Sequence, residues 1–209
     1  MKLRAALATF TAALVLGAAS ARAEGDGLYG RFDGDLELQA AAGTALSAGG
    51  PMLAARAAAR YLCTAGVYLH YADAVGTRGP RVARSFAAGL EIAPLFLARY
   101  ASDLERGPAR LDLLLDSIAL GVGAFWDEPR SGPFGARPGL EIALDLAVPI
   151  LDRATGPFLG VRGALRWRDG DLAGPRGDAI DRGALLSFTL GWHHVVRTHL
   201  VDPGDALPR

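Results

Sequence analysis

The sequence predicts an all-β fold, an antiparallel up-and-down β-barrel of about eight strands that crosses a membrane. Three observations carry that expectation. Apolar and polar residues alternate in short segments along most of the chain, the period of a strand with two unlike faces. The chain is 51% hydrophobic with a mean hydropathy of +0.21, high for a water-soluble domain. Yet beyond the leader no run approaches the ~20 apolar residues that a spanning helix needs. Closed barrels are the other structure that satisfies every backbone group within lipid.

The leader reads as a secretory signal. Lys2 and Arg4 form a positive start, Ala5 to Ala19 is an uncharged and mostly apolar run, and Ala21-Arg22-Ala23 puts small residues at the two positions a signal peptidase reads. Cleavage is expected after Ala23. A membrane-anchoring helix is the competing reading, but the run is short for a span. The expected divisions are 1–23 signal peptide, 24–32 N-terminal lead, 33–195 barrel and 196–209 polar tail. Cleavage removes Lys2, Arg4 and Arg22 and leaves a slight acidic excess, so no strong field is available to steer nucleic acid. Cys63 is the single cysteine. It excludes an intramolecular disulfide and lies far from a lipoprotein junction.

Eight segments show the alternation. Leu36, Leu38, Ala40 and Ala42 oppose Asp35, Glu37 and Gln39. Leu53 through Tyr61 on odd positions oppose Arg56 and Arg60. Val67, Leu69 and Tyr71 oppose Tyr68 and His70. Phe86, Ala88, Leu90 and Ile92 oppose Ser85, Gly89 and Glu91. Ile118, Leu120, Val122, Ala124 and Trp126 oppose Ala119, Gly121, Gly123 and Phe125. Leu140, Ile142, Leu144, Leu146 and Val148 oppose Glu141, Ala143, Asp145 and Ala147. Leu159, Val161, Gly163, Leu165 and Trp167 oppose Gly160, Arg162, Ala164, Arg166 and Arg168. Leu186, Phe188, Leu190 and Trp192 oppose Ser187, Thr189, Gly191 and His193. Each is near the ~9–11 residues of a tilted spanning strand. Ala54 to Leu62 and Leu111 to Leu120 also carry helical propensity. The stretch from Pro94 to Ser117 is expected to be a long hairpin turning near Gly107-Pro108, with a helical connection as the alternative.

Connections at Gly43–Pro51, Thr64–Gly66 and Asp152–Pro157 are expected to be short. Those at Asp73–Pro80, Asp127–Pro138 and Arg168–Arg182 are longer and rich in Gly, Pro, Asp and Arg. The three longer loops fall at one end, the pattern of a barrel with short inner turns and long outer loops.

The two faces differ in a way that separates membrane from soluble barrels. The less apolar face is rich in Gly and Ala, which suits a cramped interior, while the other is Leu, Ile, Val, Phe and Trp. Charges on the presumed interior balance: Asp35, Glu37, Glu91, Glu141 and Asp145 against Arg56, Arg60, Arg162, Arg166 and Arg168. Buried charges have to pair. If Asp152 to Thr155 holds a turn, cross-strand partners have numbers summing to 307. Glu141 then faces Arg166 and Asp145 faces Arg162 inside, while Ile142 faces Leu165 outside, so one register serves both faces. Tyr71, Trp126, Trp167 and Trp192 lie near segment ends and are expected to form aromatic girdles at membrane interfaces.

On this pattern the chain resembles the small eight-stranded outer-membrane β-barrels of Gram-negative bacteria, over roughly Asp33 to Val195. The resemblance implies residence in the outer membrane, contact with its lipid, insertion by the barrel-assembly machinery, and a filled lumen in a monomer. Asp181, Gly183, Leu186 and Phe188 look like the family's assembly signal, although the chain continues through a polar tail to Arg209 where family members end on an aromatic.

No residue set points to chemistry. His70, His193, His194 and His199 are read as lumen or girdle residues; His193 and His194 are adjacent, so on a strand they face opposite ways. Some barrels that this one resembles are hydrolases or acyltransferases, but Ser187 and His193 stand six residues apart, about 20 Å along a strand. Asp112 and Asp116, at helical spacing, read as a solvated face. Gly121 and Gly123 alone are a fragment of a dinucleotide loop. The stripe Arg162, Arg166 and Arg168 reads as internal salt bridging rather than an anion site. No catalytic residue, cofactor or metal is assigned. The expectation is a non-enzymatic barrel of structural or surface-interaction role without an open pore. The alternatives are a soluble periplasmic barrel holding an apolar ligand, and an outer-membrane hydrolase or acyltransferase.

Overall fold

In the computed structural model the chain is a closed antiparallel barrel with strand order β1 to β8 and β8 returning to β1. The structure describes residues 29–47, 50–75, 82–102, 104, 107–129, 133–135, 137–168 and 182–198. The leader with Ala21 and Ala23, most of the longer loops, Asp181, His199 and the tail lie outside them. The strands are β1 Leu36–Ser47, β2 Gly50–Tyr61, β3 Ala65–Ala74, β4 Val82–Ile92, β5 Ala119–Pro129, β6 Gly139–Pro149, β7 Gly156–Trp167 and β8 Arg182–Val196. Gly43 and Pro51, expected in a connection, both lie within paired strands. The helical propensity of Ala54 to Leu62 is overridden because β2 is hydrogen-bonded to β1 on one side and to β3 on the other.

The β6–β7 register follows the sum of 307: Glu141 opposes Arg166, Asp145 opposes Arg162 and Ile142 opposes Leu165. Closure by β1 and β8 then leaves no sheet edge, with Leu36 opposite Val196 and Ser47 opposite Leu185.

The segment from Pro94 to Ser117 is not an extended hairpin. It holds two helices, α1 Pro94–Ala101 and α2 Ala109–Asp116. Pro94 sits in the first turn of α1 and Pro108 is the N-cap of α2, positions where a missing N–H costs nothing. The Ser117 backbone N–H closes α2 on Leu113 and Leu114. The described part of the N-terminal lead, from Tyr29, is structured too. A single 3-10 turn, Arg31–Asp33, carries it across the end of the barrel where the termini emerge. There the Ala154 N–H donates to the Tyr29 carbonyl (2.8 Å) and Phe32 packs on Phe96 and Tyr100 of α1. Helices and lead together cap this end, called the terminal end below.

Glycines on the inner face make room for aromatics. The Tyr68 ring of β3 lies over Gly89 of β4 and Gly121 and Gly123 of β5; a Cβ at Gly123 would stand 2.6 Å from the Tyr68 hydroxyl and 2.4 Å from the Ala88 carbonyl oxygen. Phe158 uses Gly191 in the same way, at 2.6 Å. The pair Gly121 and Gly123 is therefore a seat for Tyr68 on a strand. Gly163 points outward with nothing within 4 Å of an added Cβ. Gly123→Val should lose about 1–3 kcal/mol by overpacking, whereas Gly163→Ala should change stability by no more than about 0.5 kcal/mol. Urea unfolding followed by tryptophan fluorescence reads both; equal effects would contradict this packing.

Candidate functional site

Arginine is a poor residue to bury unless its planar fork is matched to carboxylates. Inside this barrel that matching runs through a continuous chain of alternating charge. Glu37 of β1 lies 3.8 Å from Arg60 of β2. Arg60 donates from Nε to Glu91 of β4 at 2.7 Å. Glu91 also accepts from Arg56 of β2, whose Nε is 3.0 Å from Asp145 of β6. Asp145 pairs with Arg162 of β7, Arg162 with Glu141 (2.6 Å), and Glu141 with Arg166 (2.6 Å). Neutral donors and acceptors complete it. Gln39 bridges Glu37 and Arg56, the Tyr68 hydroxyl donates to Glu141 at 3.0 Å, and Arg166 donates to the Ser85 hydroxyl at 2.7 Å. The Arg162 guanidinium also lies over the Tyr68 ring, 4.4 Å from its centroid. All eight charged groups are buried, four of each sign.

Two members of the expected interior set stand elsewhere. Asp35 is at the terminal end, where it accepts from the Thr198 backbone and hydroxyl. Arg168 is at the opposite, outer rim, 39% exposed and paired with Asp127 at 2.8 Å. Both fall at strand ends, where the in-out alternation no longer decides what a side chain meets. Of the expected pairs, Glu141 with Arg166 and Asp145 with Arg162 are in contact, but neither is isolated: Arg162 bridges both acids and Asp145 also holds Arg56. Charge reversal of Glu141 and Arg166 would therefore bring two arginines together, and Asp127–Arg168 is the cleaner pair for a double swap.

A second cluster holds the cap. Asp112 and Asp116, read as a solvated face, are buried. Both bind Arg99 of α1, Asp116 at 2.8 Å, and Asp116 also holds the buried Arg31 at 2.6 Å. The Tyr29 hydroxyl donates to Asp112 at 3.0 Å, and Arg31 lies 5.0 Å from the centroid of Phe96. The helical spacing of the two acids was visible in the chain; their partners, 13 or more residues away, were not. Between cap and lumen is a pocket of about 40 Å³ lined in part by Arg31, Glu37, Arg60, Asp116 and His193, and a smaller one of about 20 Å³ lies among Gln39, Arg56, Asp145 and Arg162. Such volumes hold a water or a few.

The remaining candidates are accounted for individually. His70 is buried in the lumen, His193 faces inward 4.0 Å from the Phe158 ring centroid, and His194 is exposed on the other face. Ser187 is buried opposite Arg162 and lies six positions from His193 on β8. Among the described residues no group of three or more His, Cys, Asp or Glu side chains is placed to hold a metal ion. The aromatics order themselves around the outer end: Tyr71 opposes Phe86, Phe86 opposes Trp126 with ring centroids 6.0 Å apart, and Trp167 opposes Leu140. Phe86 is a member of this row that alternation alone did not single out. Trp192 is at the terminal end, opposite Ala40 and Pro157.

Cys63 sits in the β2–β3 turn under the cap, its thiol 3.9 Å from the Arg31 carbonyl. Leu62 and Cys63 both have left-handed backbones, unusual for such side chains, and the Leu62 N–H to Asp35 carbonyl bond (2.8 Å) holds them there. Burial, with Glu37 beside it, pushes the Cys63 thiol up. The folded state thus favours the neutral thiol, and this preference turns into a loss of stability once pH rises above the range where an unfolded cysteine ionises. Iodoacetamide at about pH 9, near the ordinary thiol pKa, should modify the denatured chain quickly and the folded chain hardly at all. Equal rates would show the turn to be open.

Glu141 holds Arg162, Arg166 and the Tyr68 hydroxyl and is fully buried. Glu141→Gln should cost about 3–5 kcal/mol, because it leaves Arg162 and Arg166 short of a counter-charge in the interior. Denaturant unfolding measures it; a loss no larger than that of a surface pair would refute the lattice. Compared with protein-family models, with curated proteins and with solved structures, the chain matches none.

Proposed function

We propose that this chain is an outer-membrane barrel of structural or surface-interaction role, with its wall in lipid and its longer loops, 73–80, 127–138 and 168–182, as the contact surface. The observation that carries the reading is the inversion of the wall. On every strand a large apolar side chain points outward and is exposed: Leu38, Leu53, Val67, Leu90, Val122, Leu144, Leu165 and Leu190 range from 40% to 68%. The ionised groups are inside. A soluble monomer rarely exposes a contiguous apolar patch larger than roughly 300–600 Å², and a band encircling a whole barrel exceeds that. The leader supports export, and the row Tyr71, Phe86, Trp126 and Trp167 supports an interface at the outer end. Among the described residues no helix is long and apolar enough to cross a membrane, so crossing falls to the strands.

A soluble carrier of apolar ligands needs the reverse sorting, with arginines out and leucines in. The orientation of the wall, leucines out and arginines in, supports the membrane reading over that alternative. A hydrolase or acyltransferase finds no support in a hydrogen-bonded serine–histidine pair among the described residues. On the proposed reading the lumen is a filled core, since Arg56 to Asp145 and Tyr68 to Glu141 cross it from wall to wall, and the role lies with the loops.

Heat-modifiability tests the placement. The unheated and boiled protein should migrate differently on a gel, and the folded form should be found in detergent extracts of the outer-membrane fraction; release with soluble periplasmic proteins would overturn the proposal. Leu144 stands midway along β6. Leu144→Arg should destabilise the barrel in lipid by roughly 2–4 kcal/mol, the depth-dependent cost of a cation at the hydrocarbon midplane. A change of a few tenths would place Leu144 in water.

A further inference from the structure

The cap sorts its side chains as the barrel wall does. Among the described residues of 94–116, Arg99, Asp112 and Asp116 pair with one another between the two helices, and Asp116, with the buried Phe96 and Leu113, lines the pocket toward the lumen. The outward side presents Leu95, Leu97, Tyr100, Leu104 and Leu111, from 37% to 61% exposed. Among the described residues of the two helices, Arg110, paired with Asp152 at 2.6 Å, is an exposed charge beside this surface. The apolar surface begins close in the chain to that of the wall. Ile92 and Leu120, opposite one another at the ends of β4 and β5, are exposed, and α1 begins two residues after Ile92.

From this we infer that α1 and α2 are seated in the lipid of the leaflet at the terminal end, with Leu97 and Tyr100 among the acyl chains and the Arg110–Asp152 pair at the headgroups. The inference rests on the outer-membrane reading and deepens it. Two features favour lipid over a second copy of the chain. Each helix has eight residues, about 12 Å of length. Two such helices side by side offer far less than the roughly 800 Å² per partner of a standard protein interface. And the surface begins close in the chain to that of the wall, so the lipid that covers Ile92 lies near Leu95 and Leu97. An apolar helix face with its charges turned away is the arrangement by which interfacial helices bind lipid. It also explains why Arg99, Asp112 and Asp116 are satisfied internally: in that position no water is available to them.

The test is site-directed spin labelling in phosphatidylcholine vesicles. Single nitroxides are attached in a Cys63→Ser background at Leu97→Cys, Leu144→Cys and Arg110→Cys, with heat-modifiability confirming that each variant is folded. Collision with oxygen and with a water-soluble nickel complex reports the surroundings. The expected result is an oxygen-to-nickel ratio at position 97 below the midplane value at 144 but well above that at 110. A lipid-like ratio at 144 with high nickel access at 97 would overturn the seating of the helices and leave the barrel in its membrane. Shielding of 97 from both reagents would overturn it too, since a protein surface would then cover the cap. High nickel access at 144 would sink the membrane reading itself.

Discussion

Arg56 reaches Asp145 across the lumen, from the second strand to the sixth, with 3.0 Å between Nε and Oδ1. In an eight-stranded barrel those strands are on opposite walls. The pair therefore acts as a strut, and it obliges much else. Each guanidinium has more donors than one carboxylate can use, and each carboxylate more lone pairs than one arginine fills. Satisfying the remainder recruits Glu91, Arg60 and Glu37 on one side and Arg162, Glu141 and Arg166 on the other. A slip of one residue in any strand bearing these groups would send its charge to the apolar exterior. The lattice thus specifies register as strongly as the hydrophobic face does, and both ask for the same one.

The surroundings of the lattice set its strength. Toward the outer end lie Ala45, Met52, Ala54, Ala72, Ala143, Ala164 and Leu185; Ala41, Ala147 and Phe158 lie toward the cap. These layers keep bulk water from the ion pairs, which makes each attraction stronger and each vacancy more costly. Tyr68 fills the space between, its ring seated on the β5 glycines and its hydroxyl on Glu141. β5 contributes no charge to the lattice, and its part is to be thin: Gly121 and Gly123 let an aromatic from β3 lie against the wall. Interior glycines and interior arginines are two sides of one packing solution.

What was legible in the chain was what depends on neighbours in sequence or across one turn. Alternation located the strands, and the turn at 152–155 set the partners of Glu141 and Asp145 in β6–β7. Contacts across the lumen depend on closure, through the stagger of eight strands together, and no pairwise rule gives Arg56 its Asp145 or Ser85 its Arg166. The cap was misread for a different reason. Gly107-Pro108 marks a turn in either a hairpin or a helix pair, and the run after it alternates weakly enough to suit both. The prolines at the start of each helix and the spacing of Asp112 and Asp116 were the available signals. Nothing local in the chain shows Arg99 and Arg31 folding back on Asp112 and Asp116, so their spacing alone reads as a solvated face. Asp35 and Arg168 lie past the points where the barrel ends, where strand alternation no longer holds.

The charged groups of the barrel interior are consumed by their own pairs, while His70 and the Ser187 hydroxyl are buried there without a hydrogen-bond partner among the described residues. The acids of the lumen each meet an arginine, and two of the pockets beside them, lined by described residues, have volumes of about 40 and 20 Å³, each room for a water or a few. The terminal end is closed by Arg31, α1 and α2, and the Arg31–Asp116 pair ties the lead to the helices. The longer loops, 73–80, 127–138 and 168–182, are rich in Gly, Pro, Asp and Arg, and they begin immediately above the aromatic row. On the proposed reading, a rigid barrel carrying loops at one end is a scaffold that presents a surface. On that argument the lattice serves function indirectly: by holding eight strands in one register, it fixes the bases of the outer loops relative to one another.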